Sequence, residues 1–489
     1  MSNRRSFLQS TLAFGAGLAA VPKLFGAEYS NKTSPMAGMK PGASISVNTP
    51  DVRNLPFKMD GGVKVFNLVA EPVKQEILPG KIIDLWGYNG SAPGPTIQVN
   101  QGDRVRIVFD NHLPEPSSVH WHGFEIPEAM DGVPGIGQKP VAPGGRFVYE
   151  FTLHQEGTYF YHSHMAMQEM LGMLGAFIMH PKQAYTPAVA SDHVILLQEY
   201  AVLPNNTVPN TMNMEYNWLT FNGKASPATT PIMVRQGDRV RIRLINLGMD
   251  HHPIHLHGFT FWITGNEGAR LPEAQWMRRN TVLVGVAQAQ DIEFDAIYPG
   301  SWMLHCHLPH HMMNQMSSNV GKMTRLGSGM NAGEDMESGM GMLTNSGNAT
   351  SEDRGPSMGR GLGVGSTAEN ETPNGPLSPA NAMRGMAGMD MNMSSGQMTD
   401  MLDIARDANK IPGFPQDAYM ESPMMAMDKM VEKPETFGLP EGWSGYVGGM
   451  MTLVRVLPPD QYDKYLELKK RQSPNNMDNM SGMGGNHGA

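Results

Sequence analysis

Gly300-Ser-Trp-Met-Leu-His305-Cys306-His307-Leu-Pro-His-His311-Met-Met-Asn-Gln-Met316 holds the only cysteine in 489 residues. A lone cysteine in a chain of this size is ordinarily a small buried hydrophobe. Here histidines flank it on both sides, His311 follows five positions later and Met316 ten. A thiolate, an imidazole and a distant thioether are the ligand set of a blue, type 1 copper site. Adjacent residues of a strand point to opposite faces, so His305 and His307 cannot bind the copper that Cys306 binds. They aim at a second metal centre, with the cysteine as the covalent link between the two.

The same stretch has a counterpart earlier in the chain. Gly157-Thr-Tyr-Phe-Tyr-His162-Ser163-His164 aligns with Gly300 to His307 at a shift of 143 positions. Gln101-Gly-Asp-Arg-Val-Arg-Ile107 recurs letter for letter at Gln236–Ile242, and His120-Trp-His122-Gly-Phe124 is answered by His255-Leu-His257-Gly-Phe259, both shifted by 135. A repeat of this length marks two copies of one structural unit. Within the first copy, short β-type runs (Val63–Val69, Ile82–Gly87, Thr96–Val99, Val105–Phe109, Phe147–Phe151 and Ala176–Met179) are punctuated by Gly, Pro and Asn. That rhythm, with no long helical period between the runs, predicts an all-β sandwich. The chain therefore reads as two tandem sandwiches, residues 62–182 and 190–322. Ser163 occupies the place of Cys306, so only the second can build a blue copper site.

The remainder is less regular. Asn3-Arg4-Arg5-Ser6-Phe7-Leu8 precedes a short apolar run, Leu12 to Val21, and a small-residue site near Gly26-Ala27. Residues 1–27 thus read as a twin-arginine signal, and the mature protein as periplasmic or secreted. The apolar run is too short to span a bilayer, and no other segment is apolar enough. Residues 28–61 form a Pro/Gly/Asn-rich lead-in. Residues 323–400 are a Met-rich low-complexity linker, expected to be disordered. Residues 401–489 form a C-terminal extension, expected to be partly ordered at Tyr446–Leu457 and in a short polar helix from Pro459 to Arg471. Of 42 methionines, 23 fall at or after Met323. These are either soft transient Cu(I) ligands or spacer. A net charge of −9 with no Lys/Arg-rich block argues against nucleic acid as a partner.

Four clusters, His120/His122, His162/His164, His252/His255/His257 and His305/His307/His311, hold ten of seventeen histidines. These segments resemble the four copper signatures of the multicopper oxidases, the laccase-like family built from Greek-key cupredoxin domains. Carried over residue by residue, the resemblance places type 1 copper on His252, Cys306, His311 and axial Met316. It places type 2 copper on His120 and His255, and the type 3 pair on His122, His162, His164, His257, His305 and His307. Four coppers per active unit follow. His122 and His252 stand too close in sequence for a middle domain, so the chain resembles the two-domain bacterial branch. There three subunits close head to tail, and each three-copper cluster takes four histidines from domain 1 of one chain and four from domain 2 of the next.

The resemblance implies one-electron oxidation of a small donor at type 1 copper, transfer through Cys306, and four-electron reduction of O2 to water. Asp131, in Met130-Asp-Gly132, resembles the family's proton-relay acid, and reads equally as a turn aspartate. Asn280 stands where relatives often carry an aspartate, which leaves a second proton donor unassigned. Met165, Met167, Met170, Met173, Met312 and Met313 lie near the histidine motifs, and with the tail they favour Cu(I) as donor and a copper-tolerance role. The four near His164 could instead pack a short helix. Phenols, aromatic amines, Mn(II) and Fe(II) are alternative donors. Two further alternatives are a copper nitrite reductase, which would carry its blue copper in the first domain, and a non-enzymatic periplasmic copper binder.

Overall fold

In the computed structural model the chain is described over residues 45–202, 206–214, 216–312 and 426–472. The expected export signal, Met313, Met316, the Met-rich linker and the last residues of the tail lie outside them. The first sandwich comprises β1 (Phe57–Asp60), β2 (Val63–Leu78), β3 (Lys81–Tyr88), β4 (Ile97–Asn100), β5 (Arg104–Asn111), β6 (Val119–His122), β7 (Arg146–Thr152), β8 (Gly157–Ser163) and β9 (Leu174–His180). One sheet runs β1-β2-β5-β7, with β3 paired to β2, and the other runs β4-β9-β8-β6. The repeated segment shows why it forms a strand: Val105, Ile107 and Phe109 turn into the core while Arg104, Arg106 and Val108 face outward.

The second sandwich comprises β10 (Ser191–Tyr200), β11 (Trp218–Phe221), β12 (Ile232–Arg235), β13 (Arg239–Asn246), β14 (His252–Leu256), β15 (Phe261–Asn266), β16 (Met277–Arg279), β17 (Thr281–Val284), β18 (Gln288–Asp295) and β19 (Gly300–Cys306). To these it adds β20 (Met451–Leu457), taken from the C-terminal extension. Its sheets run β11-β10-β13-β18-β15-β16 and β12-β20-β19-β14-β17. The fold is all-β and cupredoxin-like. Helix α1 (Pro459–Gln472) follows β20 directly and buries Tyr465.

The strand β20 corrects the domain boundary expected from the repeat. It lies inside the sheet, antiparallel to β19 and parallel to β12. In the first sandwich β9 holds the corresponding place, antiparallel to β8 and parallel to β4. There β9 follows β8 after ten residues, 164 to 173; here the matching strand arrives only after residue 450. The second sandwich is therefore not complete at residue 322. Met427 and Val431 of the extension also pack with Val73, Ile77 and Trp218, a cluster that touches both sandwiches.

The two sandwiches share a buried apolar interface. Phe160, Leu174 and Ile178 of the first meet Val194, Leu196, Ile245 and Leu247 of the second. Beside it lies a buried ionic network. Arg243 binds Asp192 through two hydrogen bonds of 2.8 Å and donates to Thr158 Oγ1 at 2.6 Å, and Thr158 donates to Asp291 at 2.7 Å. Thr158 comes from β8, so the network crosses between domains.

All seven residues of β20 are buried, five of them apolar. At about 1.5–3 kcal/mol per buried side chain, their loss rivals a whole domain's stability of about 5–15 kcal/mol. A chain ending at Lys322 is expected to lose cooperative unfolding, while a chain lacking only residues 323–425 keeps it. Thermal melts followed by circular dichroism would decide, and a sharp transition in the chain ending at Lys322 would count against this role of β20.

Candidate metal centres

Strand β19 pairs with β14 in a register that sets Ile254 opposite Cys306 and His255 opposite His305. Alternation then sends Cys306 and His252 into the sandwich, while His255, His257, His305 and His307 gather on the other face. His311 joins from the short 3₁₀ turn Pro309–Met312. Cys306 Sγ lies 3.6 Å from His252 Nδ1 and 3.5 Å from His311 Nδ1, and the two nitrogens are 3.3 Å apart. A triangle of that size fits a single transition-metal ion bonding its donors at about 2 Å. All three residues are fully buried.

A residue that sequence reasoning missed orients this group. Glu199, on β10, is wholly buried and accepts hydrogen bonds from the amides of Met249 and Asp250 and from His252 Nε2, the last at 3.1 Å. With the Glu199 oxygen as acceptor, Nε2 carries the ring proton and Nδ1 is bare where it faces the sulfur. Its one sequence signal is a carboxylate at the end of the apolar run Val194–Leu197. Burial pushes the Cys306 thiol up to about 12 and, with His252 beside it, lowers the His311 imidazole to about 3. The nitrogen donors are thus ready for a cation, and a cation is what would convert the thiol to a thiolate.

Two further histidine groups face outward. On the first sandwich His120 and His162 are paired across β6 and β8, and His122 Nδ1 lies 3.4 Å from His162 Nε2. His120, His122 and His162 offer nitrogens that could hold one ion, and the His164 ring stands 5.2 Å from that of His120. On the second sandwich His257 Nε2 lies 3.0 Å from His305 Nε2, with the His255 ring 5.5 Å from that of His307. Among the described residues no ring contact joins one group to the other.

The two groups are held alike. His120 Nδ1 donates to the carbonyl of Asp131 at 2.8 Å, and His255 Nδ1 to that of Asn280 at 2.6 Å. His162 and His305 each donate Nδ1–H to a following carbonyl, Ser163 and Cys306, at 2.9 Å. A carbonyl can only accept, so in all four rings Nε2 is the free ligand atom. Asp131 also brings a carboxylate oxygen 3.3 Å from His120 Nδ1, whereas Asn280 offers no acid at the matching place. Burial, then neighbouring His162 and His120, lowers His122 to about 4. Burial acts on His162 in the same direction, but the Glu169 carboxylate, 3.1 Å from its Nδ1, holds its basicity above the ordinary value.

The structure gathers every copper-ligand candidate except Met316, which lies outside the described residues, into one of three separate groups. Among the described residues it does not bring His120 to His255, or the His122, His162 and His164 set to His257, His305 and His307. Met170 and Met173 are core residues of the two sandwiches, and Met167 packs against the second core. Only Met170 lies in a helical turn, Glu169–Leu171; Met167 and Met173 pack from the loop around it. Replacing Glu199 by Gln is expected to leave the fold intact and weaken copper binding at the Cys306 site about 10- to 100-fold, the usual cost of losing an orienting carboxylate. Competitive copper titration followed at the blue absorption band would measure this, and an unchanged affinity would sink the role given to Glu199.

Two family models, each described as multicopper oxidase, match residues 71–184 and 201–324. The copper resistance protein A of Pseudomonas syringae pv. tomato is 35% identical over 134 residues, 27% of this chain and 22% of that protein. The multicopper oxidase MmcO of Mycobacterium tuberculosis is 25% identical over 323 residues, 59% of this chain and 60% of that protein. The chain spans 19–22% of the length of the first three curated relatives it matches. The crystal structure of a blue copper oxidase from Nitrosomonas europaea aligns at 30% identity and TM-score 0.48, over 51% of this chain and 81% of that one. The chain belongs to the multicopper oxidase family.

Proposed function

We propose that the protein is an oxidase coupling one-electron oxidation of a small donor to four-electron reduction of O2. His252, Cys306 and His311 would hold type 1 copper. His120 and His255 would hold type 2 copper, and His122, His162, His164, His257, His305 and His307 the type 3 pair. Bound copper supplies the electron acceptor at the buried site and the O2-reducing centre at the histidine cluster. The single observation that carries the reading is strand β19, whose residue Cys306 belongs to the buried triad while His305 and His307 belong to the outer group. One peptide backbone therefore joins the two centres. Asp131, beside His120, is placed to hold a proton near the cluster. A copper nitrite reductase would put the cysteine in the first sandwich, where Ser163 stands.

Each histidine group is half of a cluster. His164, His257 and His307 are exposed, and no ring contact joins the halves within the described chain. This supports a homotrimer of the two-domain type, in which a heterologous contact closes into a ring. No helix among the described residues is long and apolar enough to cross a membrane. The Arg4-Arg5 motif supports twin-arginine export to the periplasm or the medium. The Met-rich segment supports Cu(I) as the donor and a copper-tolerance role. Phenols would be alternative donors.

Two measurements test these readings. Equal amounts of a His122→Ala chain and a His257→Ala chain, each inactive alone, should recover about a quarter of wild-type O2 uptake after subunit exchange, because random ring closure restores one junction in four. No recovery would refute a cluster shared between subunits. Deleting residues 323–425 should lower Cu(I)-driven O2 uptake several-fold and spare phenol-driven uptake, followed with an oxygen electrode. Equal Cu(I) rates would reduce the segment to a spacer, and no O2 uptake by the copper-loaded wild type with either donor would sink the oxidase reading.

A further inference from the structure

The spacing that selects Met316 counts ten residues from Cys306. The same count from Ser163 in the first sandwich reaches Met173, which shows what that spacing means in three dimensions. Met173 accepts the backbone hydrogen bond of Ser163 N–H at 2.9 Å, and the next residue, Leu174, opens β9 opposite His162. In the second sandwich Cys306 N–H donates at 3.0 Å to the carbonyl of Met450, and the next residue, Met451, opens β20 opposite His305. Each methionine follows a glycine with positive φ, Gly172 at 105° and Gly449 at 63°. Register, hydrogen bond and turn all make Met450 the counterpart of Met173. Met316 keeps the count but falls inside the inserted stretch.

Met450 is tied to two members of the triad. Its carbonyl accepts from Cys306 and its N–H donates to the carbonyl of His311 at 2.9 Å. It is fully buried, in the same core cluster as Cys306 and Ile254. An unbranched, polarisable thioether anchored there has the reach and chemistry of a weak axial donor. In the first sandwich, where serine replaces the cysteine, Met173 is simply core.

We infer that Met450, carried to the site by the C-terminal strand β20, is the axial ligand of type 1 copper, in place of Met316. The inference rests on the type 1 reading above. It also means that residues 312–449 are an excursion that leaves and re-enters the chain between two ligands of one copper.

Full-length wild type, Met450→Leu, Met450→Gln and Met316→Leu chains, all copper-loaded, would be compared by visible absorption, electron paramagnetic resonance and type 1 reduction potential. Loss of a weak thioether should raise the potential in Met450→Leu. A stronger amide-oxygen donor should lower it in Met450→Gln and change the resonance spectrum, while Met316→Leu matches wild type. If Met450→Leu does not fold, Met450→Gln, near in volume to methionine, still decides by its downward shift. A shift in Met316→Leu, or wild-type potential and spectrum in every folded Met450 variant, would overturn the assignment. A copper-loaded wild type with no blue band would instead strike the type 1 reading, a failure visible before any variant is compared.

Discussion

Successive residues of a strand cannot share a face, and β19 turns this constraint into a functional arrangement. Cys306 must point into the sandwich if His305 and His307 point out of it. The same parity governs β14, where His252 lies on the inner side and His255 on the outer, with His257 just beyond the strand's end. Register pairing of His255 with His305 aligns the two strands, so a single hydrogen-bonded ladder sets both centres. The inner group is fully buried, whereas His257 and His307 of the outer one are exposed. A one-residue slip would exchange the faces and destroy both centres at once. The chain guards against that slip from the other flank, where the Met450 carbonyl takes the Cys306 amide and β20 runs alongside.

The outer groups are fixed by an interface that leaves little freedom between the sandwiches. Arg243 and Arg241 converge on Asp192, and Arg241 reaches Glu293 at 2.8 Å, all nearly sealed from solvent. Thr158 extends that network into the first sandwich. Breaking one partner of such a buried set strands an uncompensated charge at a cost of about 3–5 kcal/mol. Hinge motion between the domains would have to disrupt it along with the apolar contact of Phe160 and Leu174 with Val194 and Leu196. Closing the two histidine halves on each other within one chain would break that network, which supports the proposal that another copy completes the cluster.

The fold and nearly all ligand candidates were legible because both rest on local rules. Alternation marked β5 and its copy β13, and His-x-His pairs on strands can only point one way. Asp131 was legible from its place after His122, though not the fact that it binds His120 through its carbonyl as well as its carboxylate. Three features needed distance along the chain. Glu199 lies in a strand far from the motifs and is recognised only once His252 folds against it. Strand β20 shows an ordinary β pattern, but no local signal says that its partner is β19, because the repeat ends before it. On the assignment inferred above, the axial position differs from the count for a related reason: a spacing rule counts residues, whereas a ligand is selected by register, and an insertion separates the two.

The same topology bears on what the methionine-rich stretch can do. His311 and Met450 are joined by a backbone hydrogen bond, so both ends of residues 312–449 are pinned at the buried His252–Cys306–His311 triad. A segment tethered at one end samples a volume set by its length. One tethered at both ends is confined further. Thioethers bind Cu(I) as soft donors and exchange it readily. If Cu(I) is the donor, as proposed, an excursion rich in Met, Gly, Ser and Asn whose ends lie beside the Cys306 triad would hold an oxidisable metal near the site that takes up its electron. A free tail of the same composition would dilute that effect as it grew longer, whereas lengthening a doubly anchored loop raises its closure cost only as the logarithm of its length. Sequence can thus be added to the loop with little penalty to the fold, provided β20 still returns to its place beside Cys306.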